Sequence, residues 1–525
     1  MAAPIPFAPP VTSATFPSRR MGDPPRIHRC SGVIIGPMRR IRILRRPALA
    51  AVAAAAWLAL SAPVFAGGDA GAPARAAERG PMREWLRAAG LAPQQVGAIA
   101  LPLDGSPALL AHEAAHPLNP ASTIKLITTY AGLVLLGPEF RWRTEARLRG
   151  RLEAGVLHGD LVLRGGGDPK LVIEDLTEFV GLMRAGGLEE IAGDLVIDDA
   201  IFDDGARSVD EFDGDPSQPY NVRPFGALMN FKAARIVVRP DGRRADLAFD
   251  PALADVAVDN RVRPVGGPCR FGAGGLLVRG RGRADAPVVS VTGAYSRACG
   301  EQGVFAAMLD HRQFVHALFK AAWQAAGGRW AGRTRIERGA AVGEPWLVWT
   351  SPRTLADVVR DINKFSNNVM TRQLMLQLAA EAGIQPATSG DARRVMWGWL
   401  AAQGLQFPDL VLDNGAGLSR DARTSAAHLA QLLRHAASGP HAELLRESLP
   451  VAGVDGTMQA RFVDEPLAGR AWIKTGSLND VRSIAGYVQA ASGRGYAVAL
   501  IVNGPGAAAS RSLQDQFLRW VHANG

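Results

Sequence analysis

Residues 118–137 read Leu118-Asn-Pro-Ala-Ser-Thr-Ile-Lys-Leu-Ile-Thr-Thr-Tyr-Ala-Gly-Leu-Val-Leu-Leu-Gly137. Asn119 and Pro120 are helix-start residues, the run from Ile124 to Leu136 is apolar, and Gly137 closes it. Ser122 is therefore expected at or near a helix N-terminus, with Lys125, three positions on, on the same face. A serine hydroxyl needs a base to become nucleophilic near neutral pH, and lysine serves once desolvation or a neighbouring cation lowers its pKa. With 22 Ser and six Lys in the chain, chance alone supplies about a quarter of one Ser-x-x-Lys. On that evidence alone a solvated helix-start Ser and Lys is the better reading.

The background sharpens the pair. Of 59 basic residues only six are Lys (Lys125, Lys170, Lys232, Lys320, Lys364 and Lys474), and the rest are Arg. Arginine cannot be deprotonated in a protein whereas lysine can, so a lysine kept in an Arg-rich chain points to proton transfer or to a compact point charge.

Outward from Ser122, the upstream segment holds a helical pattern at Met82–Leu86. It is followed by an expected β-hairpin, Val96–Leu101 and Leu109–His112, around the turn Asp104-Gly-Ser-Pro107. From about 140 to 345 the texture is strand and turn, with helices expected at Asp175–Met183 and Val304–Ala326. Beyond 350 helical patterns dominate until Trp472. Two strands, Ser483–Val488 and Tyr496–Val502, and a closing amphipathic helix, Ser510–Val521, follow. The expected organisation is an upstream extension and signal peptide at 1–66, a catalytic α/β unit built from 67–140 and 346–525, and a β-rich insert at 141–345 between them. A chain of 525 residues is too long for one ordinary core, which fits two or more units.

Arg39, Arg40, Arg42, Arg45 and Arg46 precede the apolar run Ala48–Val64, which ends in Val64-Phe-Ala66. That order is the order of a secretory signal peptide, cleaved after Ala66, with an uncleaved anchor as the alternative and Met38 as a candidate true start. Residues 1–66 carry nine Arg and one Asp, +8 of the chain's +10, so the mature protein is nearly neutral. The basic footprint of nucleic-acid binding is thereby set aside. No later stretch is long enough for a transmembrane helix, leaving at most peripheral membrane contact. In an oxidising compartment Cys269 and Cys299 are expected to form a disulfide, with free thiols as the alternative. Neither spacing nor neighbours point to a metal, and no cofactor is implied.

Lys474-Thr-Gly476 occurs by chance a few hundredths of a time at this composition and lies just before the expected strand pair. An edge strand there would align an extended peptide, with Lys474 and Thr475 on its carboxylate and Gly476 admitting its backbone; a plain turn is the alternative. Ser366-Asn-Asn368 is uninformative alone. In the order Ser-x-x-Lys, Ser-x-Asn, Lys-Thr-Gly, the three form the signature of penicillin-binding proteins and serine β-lactamases.

The chain resembles the low-molecular-mass class C penicillin-binding proteins, the D-alanyl-D-alanine carboxypeptidase/endopeptidase family. It does so through Pro120–Lys125, Gly159-Asp-Leu-Val-Leu163, Gly167-Asp-Pro169, Gly193–Asp198, Gln218-Pro-Tyr-Asn221, Gly415–Arg420, Gly453-Val-Asp-Gly-Thr457 and Ile473–Leu478. The 244 positions between Ser122 and Ser366 match the family's large insertion. The resemblance implies a transpeptidase-like α/β sandwich split by a β-rich insert. It makes Ser122 the acylated nucleophile, Lys125 the base, Ser366 the proton relay and Asn368 the holder of the substrate amide. It also places Lys474 and Thr475 on the terminal carboxylate and the Ser122 and Ser477 N–H groups in the oxyanion hole. The implied ligands are peptidoglycan stem peptides and β-lactams. Two departures, Asn367 and Asn414 where Asp is frequent, remove no catalytic group, and Ser419 is given no chemical role.

Two rivals remain. A β-lactamase would need a deacylating Glu, yet Glu381, Glu443, Glu447 and Glu465 stand in no Glu-x-x-Leu-Asn context. A non-catalytic wall-binding protein would not need Ser122, Lys125, Ser366 and Lys474 intact.

Overall fold

The two ends of the chain meet in one antiparallel sheet, with strands in the order Ala471–Leu478, Val481–Gln489, Gly495–Asn503, Val96–Pro102, Leu110–His112. Val96–Pro102 runs against the last strand, Val96 opposite Val502 and Pro102 opposite Tyr496. Side chains alternate between faces along a strand, and the burial follows that alternation. Val96, Ala98, Val498, Leu500 and Val502 enter one core with the helices Met82–Ala89 and Arg511–Asn524. Ile99, Leu101, Ala497, Ala499 and Ile501 enter the other, with Leu429, Leu432 and Leu433 of the helix Ala426–Ala437. Both faces being covered, these strands read in the sequence as unbroken apolar runs.

The computed structural model describes residues 81–205, 212–241, 244–283 and 286–525, all within one compact unit, Pro73–Gly525. The expected signal peptide, its cleavage site, the alternative start at Met38 and the linker that follows lie outside the described residues. No described helix is long and apolar enough to cross a membrane.

Beneath the sheet the helix Lys125–Leu135 is buried from Lys125 to Leu133 and packs on the helices Leu355–Phe365 and Asn368–Glu381. The first of these two starts at a reciprocal cap. Thr354 Oγ1 accepts the Asp357 N–H at 3.3 Å, and Asp357 Oδ2 accepts the Thr354 N–H at 3.0 Å.

Between the two halves of this unit the chain builds further sheets around a core of its own. Arg143–Glu153 and Val156–Gly165 form a hairpin, Leu195–Asp198 and Thr334–Ile336 extend it in parallel, and Leu347–Thr350 returns to pair with Arg143–Glu153. The helices Ile173–Ala185 and His311–Ala325 bury Phe179, Phe314 and Phe319 against it. The expected helix at Val304–Ala326 is in fact two elements. Val304 to Ala306 belong to the strand Gln302–Ala306, and the helix begins at His311, capped by Asp310, whose Oδ1 accepts the Gln313 N–H at 2.8 Å. The Asp-x-x-Gln cap was readable, but the apolar run continued across it. Two three-stranded sheets complete this region, and Cys269 and Cys299 are joined as a disulfide there.

The inserted region is bolted to the helix Asn368–Glu381. Gln373 donates to the carbonyls of Gly167 (3.2 Å) and Phe225 (2.9 Å) and accepts the Phe225 N–H at 2.9 Å. Arg372 donates to the Tyr220 carbonyl at 2.6 Å.

The last strand also fixes the segment before Ser122. Asn503 Oδ1 accepts the Asn119 N–H at 2.7 Å and Asn503 Nδ2 donates to the Asn119 carbonyl at 2.9 Å. Asn503→Leu leaves both backbone groups without these partners and should lower the unfolding free energy by about 2 kcal/mol, read as a lower urea midpoint at unchanged slope.

Candidate active site

The Ser122 segment opens with Ala121 in a left-handed conformation (φ 45°) and a 3₁₀ turn, Ala121–Ile124, that runs into the helix Lys125–Leu135. One turn of this spacing brings Lys125 Nζ to 2.9 Å from Ser122 Oγ. Lys125 is fully buried, whereas Ser122 is half-buried. Nζ also meets Asn368 Oδ1 at 2.6 Å and the Ala416 carbonyl oxygen. A neutral amine has two N–H donors and one lone pair. Asn368 Oδ1 and the Ala416 carbonyl can only accept, so they take the two donors and leave the lone pair for the Ser122 O–H. Burial, then Lys474, then Arg372 hold Lys125 well below the ordinary lysine value, which favours that neutral form.

Ser366 sits between two helices in a left-handed conformation (φ 58°). Asn367 caps the second, accepting the Met370 N–H at 3.0 Å, which makes Asn368 its first residue and sets Asn368 over Lys125. Asn367 thus performs a capping task that Asp performs equally well. Asn414 likewise shapes a loop. It donates to the Leu418 carbonyl at 2.7 Å and accepts the Ala416 N–H at 3.0 Å, while the neighbouring Ala416 carbonyl reaches Lys125. Ser419 accepts the N–H groups of Asp421 and Ala422, both at 3.0 Å, a turn-forming role.

Lys474-Thr-Gly476 lies inside the edge strand Ala471–Leu478 rather than ahead of the strand pair. Lys474 is buried, donates to Ser366 Oγ and to the Thr475 carbonyl, each at 2.8 Å, and is held down to about 7 by burial. Thr475 donates to Thr457 Oγ1 at 2.8 Å, and the Ser477 side chain is exposed. The space a Cβ on Gly476 would take belongs to the Ser122 turn and its surroundings. It would stand 2.3 Å from Ser483 Oγ and 2.9 Å from both the Pro120 oxygen and the Ser122 nitrogen. A Cβ on Gly417, at φ 73°, would be 1.9 Å from the Ala121 oxygen. The Ser122 turn is thus gripped by two glycine backbones, both from the part of the chain that follows the inserted region.

The structure gathers Ser122, Lys125 and Asn368 into one bonded set, and Ser366, Lys474 and Thr475 into another. Among the described residues no hydrogen bond joins the two sets; the repulsion between their lysines links them. Three contributors escaped sequence reasoning. The Ala416 carbonyl carried only the signal of its Gly-Ala-Gly context. Thr457 lay in a motif without an assigned role. Arg372 is half-buried, its Nε without a hydrogen-bond partner among the described residues, its guanidinium held down to about 10 by burial, and in the sequence it is one Arg among many.

A family model described as the D-Ala-D-Ala carboxypeptidase 3 (S13) family matches residues 82–524. The chain is 28% identical over 439 residues to the D-alanyl-D-alanine carboxypeptidase of Actinomadura sp. (strain R39), spanning 78% of this chain and 77% of that one. It is 25% identical over 396 residues to the D-alanyl-D-alanine carboxypeptidase DacB of Haemophilus influenzae, spanning 73% of this chain and 80% of that one. The crystal structure of penicillin binding protein 4 (dacB) from Haemophilus influenzae superposes with a TM-score of 0.68 at 23% identity, over 78% of this chain and 90% of that one. The fold is the transpeptidase-like α/β sandwich with a β-rich insert that the motif order implied.

Gly476→Ala should push the Ser122 turn away from the edge strand and reduce D-Ala-D-Ala carboxypeptidase activity by about 100-fold or more. A far-ultraviolet circular dichroism spectrum matching the parent's would show that the fold is kept.

Proposed function

We propose, since the chain belongs to the D-Ala-D-Ala carboxypeptidase 3 (S13) family, that it is a serine DD-peptidase acting through an acyl-enzyme on Ser122. The observation that carries this reading is the Lys125 amine, buried and directed by two pure acceptors so that its lone pair meets Ser122 Oγ at 2.9 Å. In the first step Ser122 Oγ bonds to the carbonyl carbon of the penultimate D-Ala as its proton passes to Lys125. The oxyanion is stabilised by the Ser122 and Ser477 N–H groups. Breaking the C–N bond sends the electron pair to the leaving nitrogen, which takes its proton from Lys125 through Ser366. D-alanine departs, and water, deprotonated by Lys125, cleaves the ester and frees Ser122. Lys474 and Thr475 bind the terminal carboxylate, whose charge stabilises the Lys474 cation. Asn368, whose oxygen is taken by Lys125, offers its NH₂ to a substrate carbonyl.

A cross-linking peptide bond carries the same D-Ala carbonyl and differs in its leaving amine, so endopeptidase action uses the same steps. A β-lactam offers a similar carbonyl and acylates Ser122. Deacylation of a penicilloyl ester should be slow, because no candidate glutamate stands in a Glu-x-x-Leu-Asn context and three of the four are engaged elsewhere. Glu381 accepts from Gln377 at 2.8 Å, Glu443 pairs with Arg446, and Glu465 pairs with Arg519 at 2.7 Å. The basic, apolar, small-residue order of 1–66 and the Cys269–Cys299 disulfide support export and a periplasmic place of work.

The test is D-alanine release from a stem pentapeptide and cleavage of a cross-linked dimer, both followed by mass spectrometry. Ser122→Ala should abolish both; unchanged release would refute the assignment. Acylation should also have an acid limb set by Lys125, since only its neutral form accepts the proton. Arg372→Met removes a cation that disfavours protonated Lys125, so the Lys125 pKa rises. The acid limb of a fluorescent penicillin's acylation rate should therefore move to higher pH, with the rate at high pH kept.

A further inference from the structure

The Gly453-Val-Asp-Gly-Thr457 motif plays no part in the steps above, yet it touches the site at both ends. At one end the Thr475 hydroxyl donates to Thr457 Oγ1 at 2.8 Å, with Thr457 exposed on the rim of the edge strand. At the other end both oxygens of Asp455 take the Lys364 ammonium, at 2.8 and 2.6 Å, and Oδ1 also accepts the Val451 N–H at 2.8 Å. Lys364, two residues before Ser366, is buried and has a third partner in the Leu449 carbonyl at 2.6 Å. Between them Gly456 is at φ 56°, and a Cβ on it would lie 2.8 Å from the Lys364 carbonyl oxygen. The segment ahead of the motif is tied to the edge strand, Ile473 N–H to the Pro450 carbonyl at 2.7 Å and Ala452 N–H to the Ala471 carbonyl at 2.9 Å. The loop is therefore a strut, fixed to the Ser366 turn and to the Lys474 strand, and it holds Thr457 beside Thr475.

Two hydroxyls at hydrogen-bond distance beside a lysine form a donor set for a carboxylate. In the resting pair one O–H points at the other oxygen. A carboxylate placed over the pair accepts from both hydroxyls, with the lysine supplying charge. We propose that Thr457 is a substrate-binding residue that completes, with Thr475 and Lys474, the subsite for the C-terminal carboxylate of the peptide, and that the Lys364–Asp455 pair holds it in place. This inference rests on the peptidase reading above. It also gives a task to Lys364, one of the few lysines in an Arg-rich chain.

The experiment uses the mature full chain, a stem pentapeptide ending in D-Ala-D-Ala, and the same peptide as its C-terminal amide. Thr457→Val should raise KM for the acid about tenfold while kcat changes less than about twofold. It should cause no further loss on the amide, and Thr457→Ser should restore most of the parent's KM. Lys364→Met, which frees the strut without touching either threonine, should reproduce the selective loss on the acid. Equal losses on acid and amide, a fall in kcat at unchanged KM, or no rescue by Thr457→Ser would overturn the assignment. Calorimetric binding in a Ser122→Ala background reads the subsite without turnover. Thr457→Val should lower affinity for the acid about tenfold and leave the amide alone, and equal affinity for the acid would refute the inference. Failure of the parent enzyme to release D-alanine would count against the peptidase reading alone.

Discussion

The arrangement around Ser122 turns on one buried amine, that of Lys125, whose surroundings disfavour its protonation. Lys125 Nζ lies among Ser122 Oγ, Asn368 Oδ1 and the Ala416 carbonyl, and these three come from separate helices and a loop far apart in sequence. Its burial depends on the helix Lys125–Leu135 running through the apolar core. Its low proton affinity depends on a second buried lysine, Lys474, delivered by the edge strand, and on Arg372, delivered by the helix that carries Asn368. Two cations and no carboxylate dominate its surroundings, which is how a lysine becomes a base rather than half of an ion pair.

The architecture follows from that requirement. The Ser122 turn at the helix start is held backbone against backbone. Gly476 and Gly417 allow the edge strand and the Asn414–Arg420 loop to close on Ala121 and Ser122. Asn503, at the end of the last strand, ties the backbone of Asn119 to the sheet. The inserted region is docked through Gln373 and Arg372, on the helix that begins with Asn368. Its attachment and the positioning of the site therefore share one element.

Much of this was legible in the sequence. Alternation and apolar runs gave the strands at both chain ends, while of the motif residues Ser122, Lys125 and Asn368 form one hydrogen-bonded set and Ser366, Lys474 and Thr475 another. Local periodicity failed where apolar content continued across a boundary, as at Val304–Ala326, where a strand and a helix are separated by a cap. It was also silent wherever a backbone atom does the work. The Ala416 carbonyl has no side-chain signature, and the room that Gly476 leaves is filled by a turn more than 350 residues away in sequence. Arg372 was hidden by abundance, because a functional arginine cannot stand out among so many.

The central claim is covalent, and it is tested most directly by locating the bond. Protein incubated with benzylpenicillin, then proteolysed and fragmented in a mass spectrometer, should carry a single penicilloyl adduct, on Ser122. An adduct on any other residue would contradict the assignment of Ser122 as nucleophile, and no adduct after complete loss of the free drug would contradict slow deacylation.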